Sequence, residues 1–214
     1  MSLTDWCAEK IEEHDKVEEV NIADNLINVV HISDIGMQVS KVAVVSVEHM
    51  DLESLGTIPI EDVDFVLNIK KNPYIEGTVF SLAESAGFAV GGVGDIFRAL
   101  NDGNLACYQN PEMRFVIRGL TQHTRVQEIE RLDDRRFLIH RISLPDITVL
   151  VLNDYDLTAE AVRRGIEVYG EFDCILTSNP NCRKSPSSET AASSAGKSIY
   201  NWAELLGALN RPWT

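Results

Sequence analysis

The sequence predicts an α/β protein of two tandem similar repeats, each running helix, two strands, then alternating helix and strand, packed as a pseudo-dimer. Three observations carry that prediction. The chain resembles itself at a constant offset of 109 residues. Runs of β-branched and aliphatic residues alternate with segments of helical spacing, the pattern of strand and helix in turn. Glycines and prolines also fall where those segments change type. The boundaries follow as residues 1–109 for an acidic first repeat and 110–214 for a second repeat with an arginine-rich opening segment.

The offset holds at both ends of the unit. His14, Val17, Glu19, Asp24 and His31 fall on His123, Val126, Glu128, Asp133 and His140. Later, Asp64, Leu67, Asn72, Ala83, Ser85, Ala86 and Gly87 fall on Asp173, Leu176, Asn181, Ala192, Ser194, Ala195 and Gly196. Neither block needs a gap in this ungapped reading, whereas the stretch between them needs small compensating ones.

In the second repeat, Phe115, Leu120 and Ile129 stand at helical spacing, which predicts a helix over 112–131 opened by Pro111. Residues 137–142 and 147–152 read as adjacent strands around Leu144, Pro145 and Asp146. A helix over 159–169 stops at Gly170, a short buried strand covers 174–177, and a helix over 187–195 closes at Gly196. A strand over 198–200 and a helix over 202–209 complete it. The first-repeat counterparts are a helix over 5–20, strands over 27–33, 42–47, 65–69 and 88–90, and helices over 77–86 and 94–100. The crossover 51–60, with Gly56 and Pro59, is expected to be irregular or a short helix. Strands that alternate with helices imply right-handed crossovers and a parallel section.

With 44% hydrophobic and 24% charged residues among 214, the chain has the composition of a globular protein. No apolar run reaches the roughly 20 residues of a membrane helix. The charged opening is unlike a signal peptide, so the expected location is cytoplasmic, with no membrane partner. Cys7, Cys107, Cys174 and Cys182 form no metal-ligand spacing and are expected to be reduced thiols. A net charge of −14 argues against nucleic acid, whose binding needs phosphate neutralisation. The charge is uneven: residues 1–109 carry 19 acidic and 6 basic side chains, residues 110–214 carry 14 and 13. Glu12, Glu13, Glu18 and Glu19 open one repeat, while Arg114, Arg118, Arg125 and Arg131 open the other, which predicts attraction between the two segments or between separate chains.

Several motifs invite chemistry. Ala195, Gly196, Lys197 and Ser198 imitate the end of a phosphate loop, but a strand follows where a helix should, so the motif is set aside. Gly91, Gly92, Val93, Gly94 and Asp95 could hold an anion on backbone amides or simply form a tight turn. His14, His31, His123 and His140, with Glu19 and Glu128 nearby, could form acid–base pairs or serve as structural residues. Ligands of open α/β sheets bind beyond the carboxyl ends of the strands, which nominates Asn68, Lys70, Thr177, Ser178 and Asn179. Turn formation by Asn before Pro competes with that reading.

The order of elements across residues 148–209 resembles the later part of Mrr-type restriction-endonuclease-like domains. Asp146 after Pro145, and Asp34 in the first repeat, are similar to the first acidic position of that family's PD-(D/E)xK signature. The acid-x-lysine element of the family is absent. The second-repeat strand ends Leu152, Asn153, Asp154, and Ser46, Val47, Glu48 offers no lysine, while Asn68, Ile69, Lys70 has the lysine without the acid. The resemblance therefore implies a degenerate domain that binds a protein partner or small ligand, or associates with itself. The alternative is a metal-dependent phosphodiesterase, or another hydrolase, built on the repeated His, Asp and Glu residues; only that alternative calls for a divalent metal.

Overall fold

The computed structural model describes residues 2–213. The chain divides into two compact units, Met1–Asn110 and Pro111–Thr214. In the first unit, helix α1 (Leu3–Glu12) precedes an antiparallel meander of β1 (Val17–Ala23), β2 (Leu26–Ser33) and β3 (Gly36–Val45). Strand β4 (His49–Met50) and two single 3-10 turns, Glu53–Leu55 and Ile60–Asp62, lead to β5 (Phe65–Asn68). Strand β6 (Tyr74–Ile75), helix α2 (Gly77–Ala86), strand β7 (Ala89–Gly91) and helix α3 (Val93–Asp102) follow. The main sheet has the order β1-β2-β3-β5-β7, with β3, β5 and β7 parallel.

The second unit repeats this arrangement with α4 (Pro111–Thr121), β8 (Val126–Arg131), β9 (Arg136–Arg141), β10 (Ile147–Leu152), β11 (Asp156–Leu157) and α5 (Ala159–Tyr169). Strand β12 (Cys174–Thr177), β13 (Arg183–Lys184), α6 (Pro186–Ser194), β14 (Ser198–Tyr200) and α7 (Trp202–Ala208) complete it. Its sheet runs β8-β9-β10-β12-β14, and its small ladder of β11 with β13 matches that of β4 with β6.

Each sheet lies between helical layers. In the first unit, α1 and α3 supply Cys7, Ile11, Ile96 and Leu100 against Ile27, Val29, Val42, Phe65 and Leu67 on the inner face. On the outer face, α2 supplies Val79 and Ala83 against Leu26, Ala43 and Val66. In the second unit α4 and α7 cover the inner face, while α5 and α6 bring Val162 and Ala192 to Leu150 and Ile175 on the outer face. A large departure from repetition is α5, an eleven-residue helix whose place in the first unit is taken by the two 3-10 turns.

Two expectations need correction. The segments 5–20 and 112–131 are not continuous helices. Each helix ends at a turn, and the remainder is the edge strand β1 or β8. A β-bulge explains the misreading. The register shifts between Val17 and Glu19, and again between Val126 and Glu128. One extra residue per strand brings Val17 and Val20, or Val126 and Ile129, to the same core. Their i,i+3 spacing imitates a helix.

The ungapped histidine pairing also fails. Ile22 pairs with Ile27, whereas Arg131 pairs with Phe137, so the second hairpin turn holds one more residue. In the first unit the turn is Asp24 and Asn25, both at positive φ (50° and 66°), the two-residue geometry that matches strand twist. In the second, Asp133 organises a longer turn and accepts from the backbone N–H groups of Arg135 (2.9 Å) and Arg136 (2.7 Å). The extra residue reverses the faces. His31 occupies the position of Arg141, and Val30 that of His140.

Candidate functional site

The histidines of the repeat have separate duties. His14 accepts a hydrogen bond at Nδ1 from the Lys16 backbone N–H, and His123 accepts one from that of Arg125, each at 3.2 Å. The carbonyl oxygens of both also receive Val17 N–H or Val126 N–H, so the matched pair shapes the turn between helix and edge strand. His31 is fully buried, with Nε2 3.0 Å from Ser40 Oγ. His140 lies on the opposite face of its own sheet, with Nδ1 2.9 Å from Asp146 and Nε2 4.0 Å from Glu130.

The carboxylates are dispersed as well. Glu19 and Glu128 are exposed on edge strands, and Asp34 sits at the tip of the β2–β3 hairpin. His14, Glu19, His31 and Asp34 do not form one pocket: His31 points into the core while the carboxylates face solvent. Asp146 is held below the usual carboxylate range, chiefly by the His140 ring and then by the Arg141 backbone N–H. Among the described residues no group of three or more His, Cys, Asp or Glu side chains has an arrangement that could hold a metal ion. The four cysteines are free; Cys7 is buried, and that burial pushes its thiol up to about 11.

At the carboxyl ends of the parallel strands, Asn68 is buried and binds both polar groups of Val47, with Nδ2 donating to its carbonyl at 2.9 Å. Lys70 forms an exposed ion pair with Glu48 at 2.9 Å. In the second unit Thr177 donates to the Tyr200 carbonyl, and Asn179 accepts from Asn181 N–H in an Asx turn. Ser178 is buried and donates to Glu112 at 2.6 Å.

Glu112 extends that contact into a network the residue patterns did not reveal. It pairs with Arg135 at 3.0 Å, beside Asp134, which accepts from the Tyr169 hydroxyl at 3.0 Å. Asp133, fully buried, pairs with Arg136 at 2.6 Å. The residues come from α4, the β8–β9 turn, α5 and the end of β12. Their only sequence signal is the run Asp133, Asp134, Arg135, Arg136, which a solvated turn would share.

The glycine-rich turn is filled by its own carboxylate. Asp95 receives Gly92 N–H (3.0 Å), the Tyr108 hydroxyl (2.7 Å) and Asn110 Nδ2 (3.2 Å) at the start of α3. A side chain on Gly91 would come 2.6 Å from Asp95 Cβ, which explains the glycine. An open groove of about 470 Å³ in the second unit runs along α7, lined by Tyr200, Glu204, Arg211 and Trp213 among others. Arg141 frames its end, donating to the Arg211 carbonyl at 2.8 Å and lying 5.8 Å over the Trp213 ring.

No helix among the described residues is long and apolar enough to cross a membrane. No family model, no curated protein and no solved structure matches the chain.

Proposed function

We propose that the chain is a non-catalytic cytoplasmic binding protein, formed by duplication of a degenerate endonuclease-like repeat, whose ligand is a protein partner. The observation that carries this reading is the way matched polar residues are spent. His14 and His123 cap equivalent turns. Asp64 and Asp173 receive a backbone N–H from the neighbouring strand, Lys41 at 2.8 Å and Thr148 at 2.6 Å. These matched polar residues thus wire the fold and form no catalytic set with one another. The test is turnover: the full chain with Mg²⁺ or Mn²⁺ is expected to leave single-stranded and double-stranded DNA and RNA intact. Cleavage that Asp146→Ala abolishes would overturn the reading.

One contact favours a hydrolase as the second reading. The His140 ring between Asp146 and Glu130 has the polarity of an acid–base dyad at the surface. That reading requires Asp146→Ala to lose an activity which the wild type possesses.

A further inference from the structure

The outer face of the first unit carries an apolar strip that its fold does not require. Val39 (63% exposed), Met37 (67%) and Ile32 (42%) lie on it, with Ile35 (84%) at the hairpin tip. Val30 pairs with Val39 and Ile32 with Met37, so four apolar side chains stand together on two adjacent strands. In the second unit the positions of Val30 and Val39 are held by His140 and Asp146, a polar pair 2.9 Å apart. That unit also ends its hairpin early: β9 and β10 have six residues each, against eight and ten in β2 and β3. The positions of Val30 and Val39 therefore tolerate polar residues; Ile32 has an equally exposed apolar counterpart in Ile142, whereas Val30, Met37, Val39 and the extra strand length are particular to the first unit.

We infer that this strip docks an amphipathic helix with basic flanks, supplied by a protein partner; the inference rests on the protein-binding reading above. The helical form follows from the width of the strip. The outer face of the first unit is covered by α2 and the two 3-10 turns, which leave the β2–β3 hairpin bare. Two strands about 4.8 Å apart offer a shelf the width of one helix, roughly 10 Å. The basic character follows from charge. Glu19 faces out directly opposite Val30, and Asp34 adjoins Ile35 at the tip. Neither carboxylate has an ion-pair partner among the described residues. The nearby cations are engaged: Lys16 donates to the Asn101 carbonyl at 2.6 Å, and Lys41 pairs with Asp62. A second copy seated on the same strip would set Glu19 and Asp34 against their own equivalents in a unit with 19 acidic and 6 basic side chains. An apolar stripe between lysines or arginines meets both the strip and its rim.

The test uses the full chain and a synthetic Leu/Lys peptide with leucines at helical spacing, beside a scrambled peptide of identical composition. Titration by fluorescence anisotropy is expected to show binding of the patterned peptide at least tenfold tighter than of the scrambled one. Met37→Gln with Val39→Thr, both at exposed positions, is expected to weaken it about tenfold, as truncation of a central apolar contact does. Glu19→Gln with Asp34→Asn is expected to weaken it and flatten its salt dependence. Unchanged melting of each variant keeps the comparison valid, and the single Val39→Thr serves if the double variant unfolds. Equal binding of both peptides, or indifference to both variants, overturns the inference. Self-association in sedimentation that Met37→Gln with Val39→Thr abolishes also overturns it, in favour of a second copy. Loss of the docking result leaves the non-catalytic reading standing if nucleic acid stays intact, so the two can fail separately.

Discussion

His31 illustrates how one side chain can carry a pH dependence into an otherwise apolar layer. It is fully buried, and burial lowers its pKa from the ordinary 6.5. A proton is therefore taken up more readily by the unfolded chain than by the folded one. Well above 6.5 both states are neutral and the group contributes no pH dependence. As pH falls below 6.5 the unfolded state gains its proton first and stability drops, until the folded-state pKa is passed. The expected loss has a limiting slope of about 1.4 kcal/mol per pH unit, one proton's worth. Urea unfolding of the wild type and of His31→Gln, from pH 7.5 to 5.0, measures it. The difference between the two is expected to shrink as pH falls, because only the wild type loses stability through this group. A constant difference would show that the ring titrates normally in the fold. None of this was readable from residue type. In sequence His31 and His140 look like one repeated residue, and a single added turn residue separates a core histidine from a surface one.

At the scale of elements, the strands rich in β-branched residues were legible because both their faces are buried. Strand β10, Ile147 to Leu152, is buried or half-buried throughout and reads as an apolar run. Helices α5 and α6 were legible from the glycines that stop them, Gly170 and Gly196; the structure adds Thr158 and Ser185, which accept N–H bonds at their starts. The edge strands β1 and β8 were not, since they bury little and a bulge gives their apolar residues helical spacing. The charged network around Glu112 was illegible for another reason. Its Ser178 partner is 66 residues away, and only the sheet brings them together. Asp64 and Asp173 lie between these cases: their match in the repeat was visible, their work was not. Each closes a reciprocal contact at the start of its strand, accepting a neighbouring N–H and donating its own to the same residue, Lys41 or Thr148. Asp173→Ala leaves the Thr148 N–H without its charged acceptor. It is expected to destabilise the fold by about 1–3 kcal/mol, with Asp173→Asn costing less because the amide oxygen can still accept. Denaturant midpoints decide the matter, and a loss as large for asparagine as for alanine would refute the role.

For the molecule as a whole, the repeat and the split at Asn110 and Pro111 matter because each unit draws its cores from its own residues. Cys7 through Tyr108 line the two clusters of the first unit, and Met113 through Leu209 line those of the second. Units of about 100 residues with a sheet covered on both faces are large enough to fold alone. Fragments 1–110 and 111–214 are therefore each expected to melt cooperatively by circular dichroism. Their salt responses should differ. The first carries 19 acidic against 6 basic side chains and repels itself, so added salt is expected to raise its midpoint. The second, with 14 against 13, is nearly balanced, and its buried pair of Asp133 with Arg136 is shielded from the solvent ions that screen surface charges. Its midpoint is expected to move little between 0.05 and 0.5 M salt, values on the order of those over which the screening length falls from above 10 Å to below 8 Å. If fragment 111–214 stays unfolded while the full chain melts normally, the second unit depends on the first for its stability. If instead both fragments fold but respond alike to salt, the unequal charge of the two halves has no part in holding either sheet together.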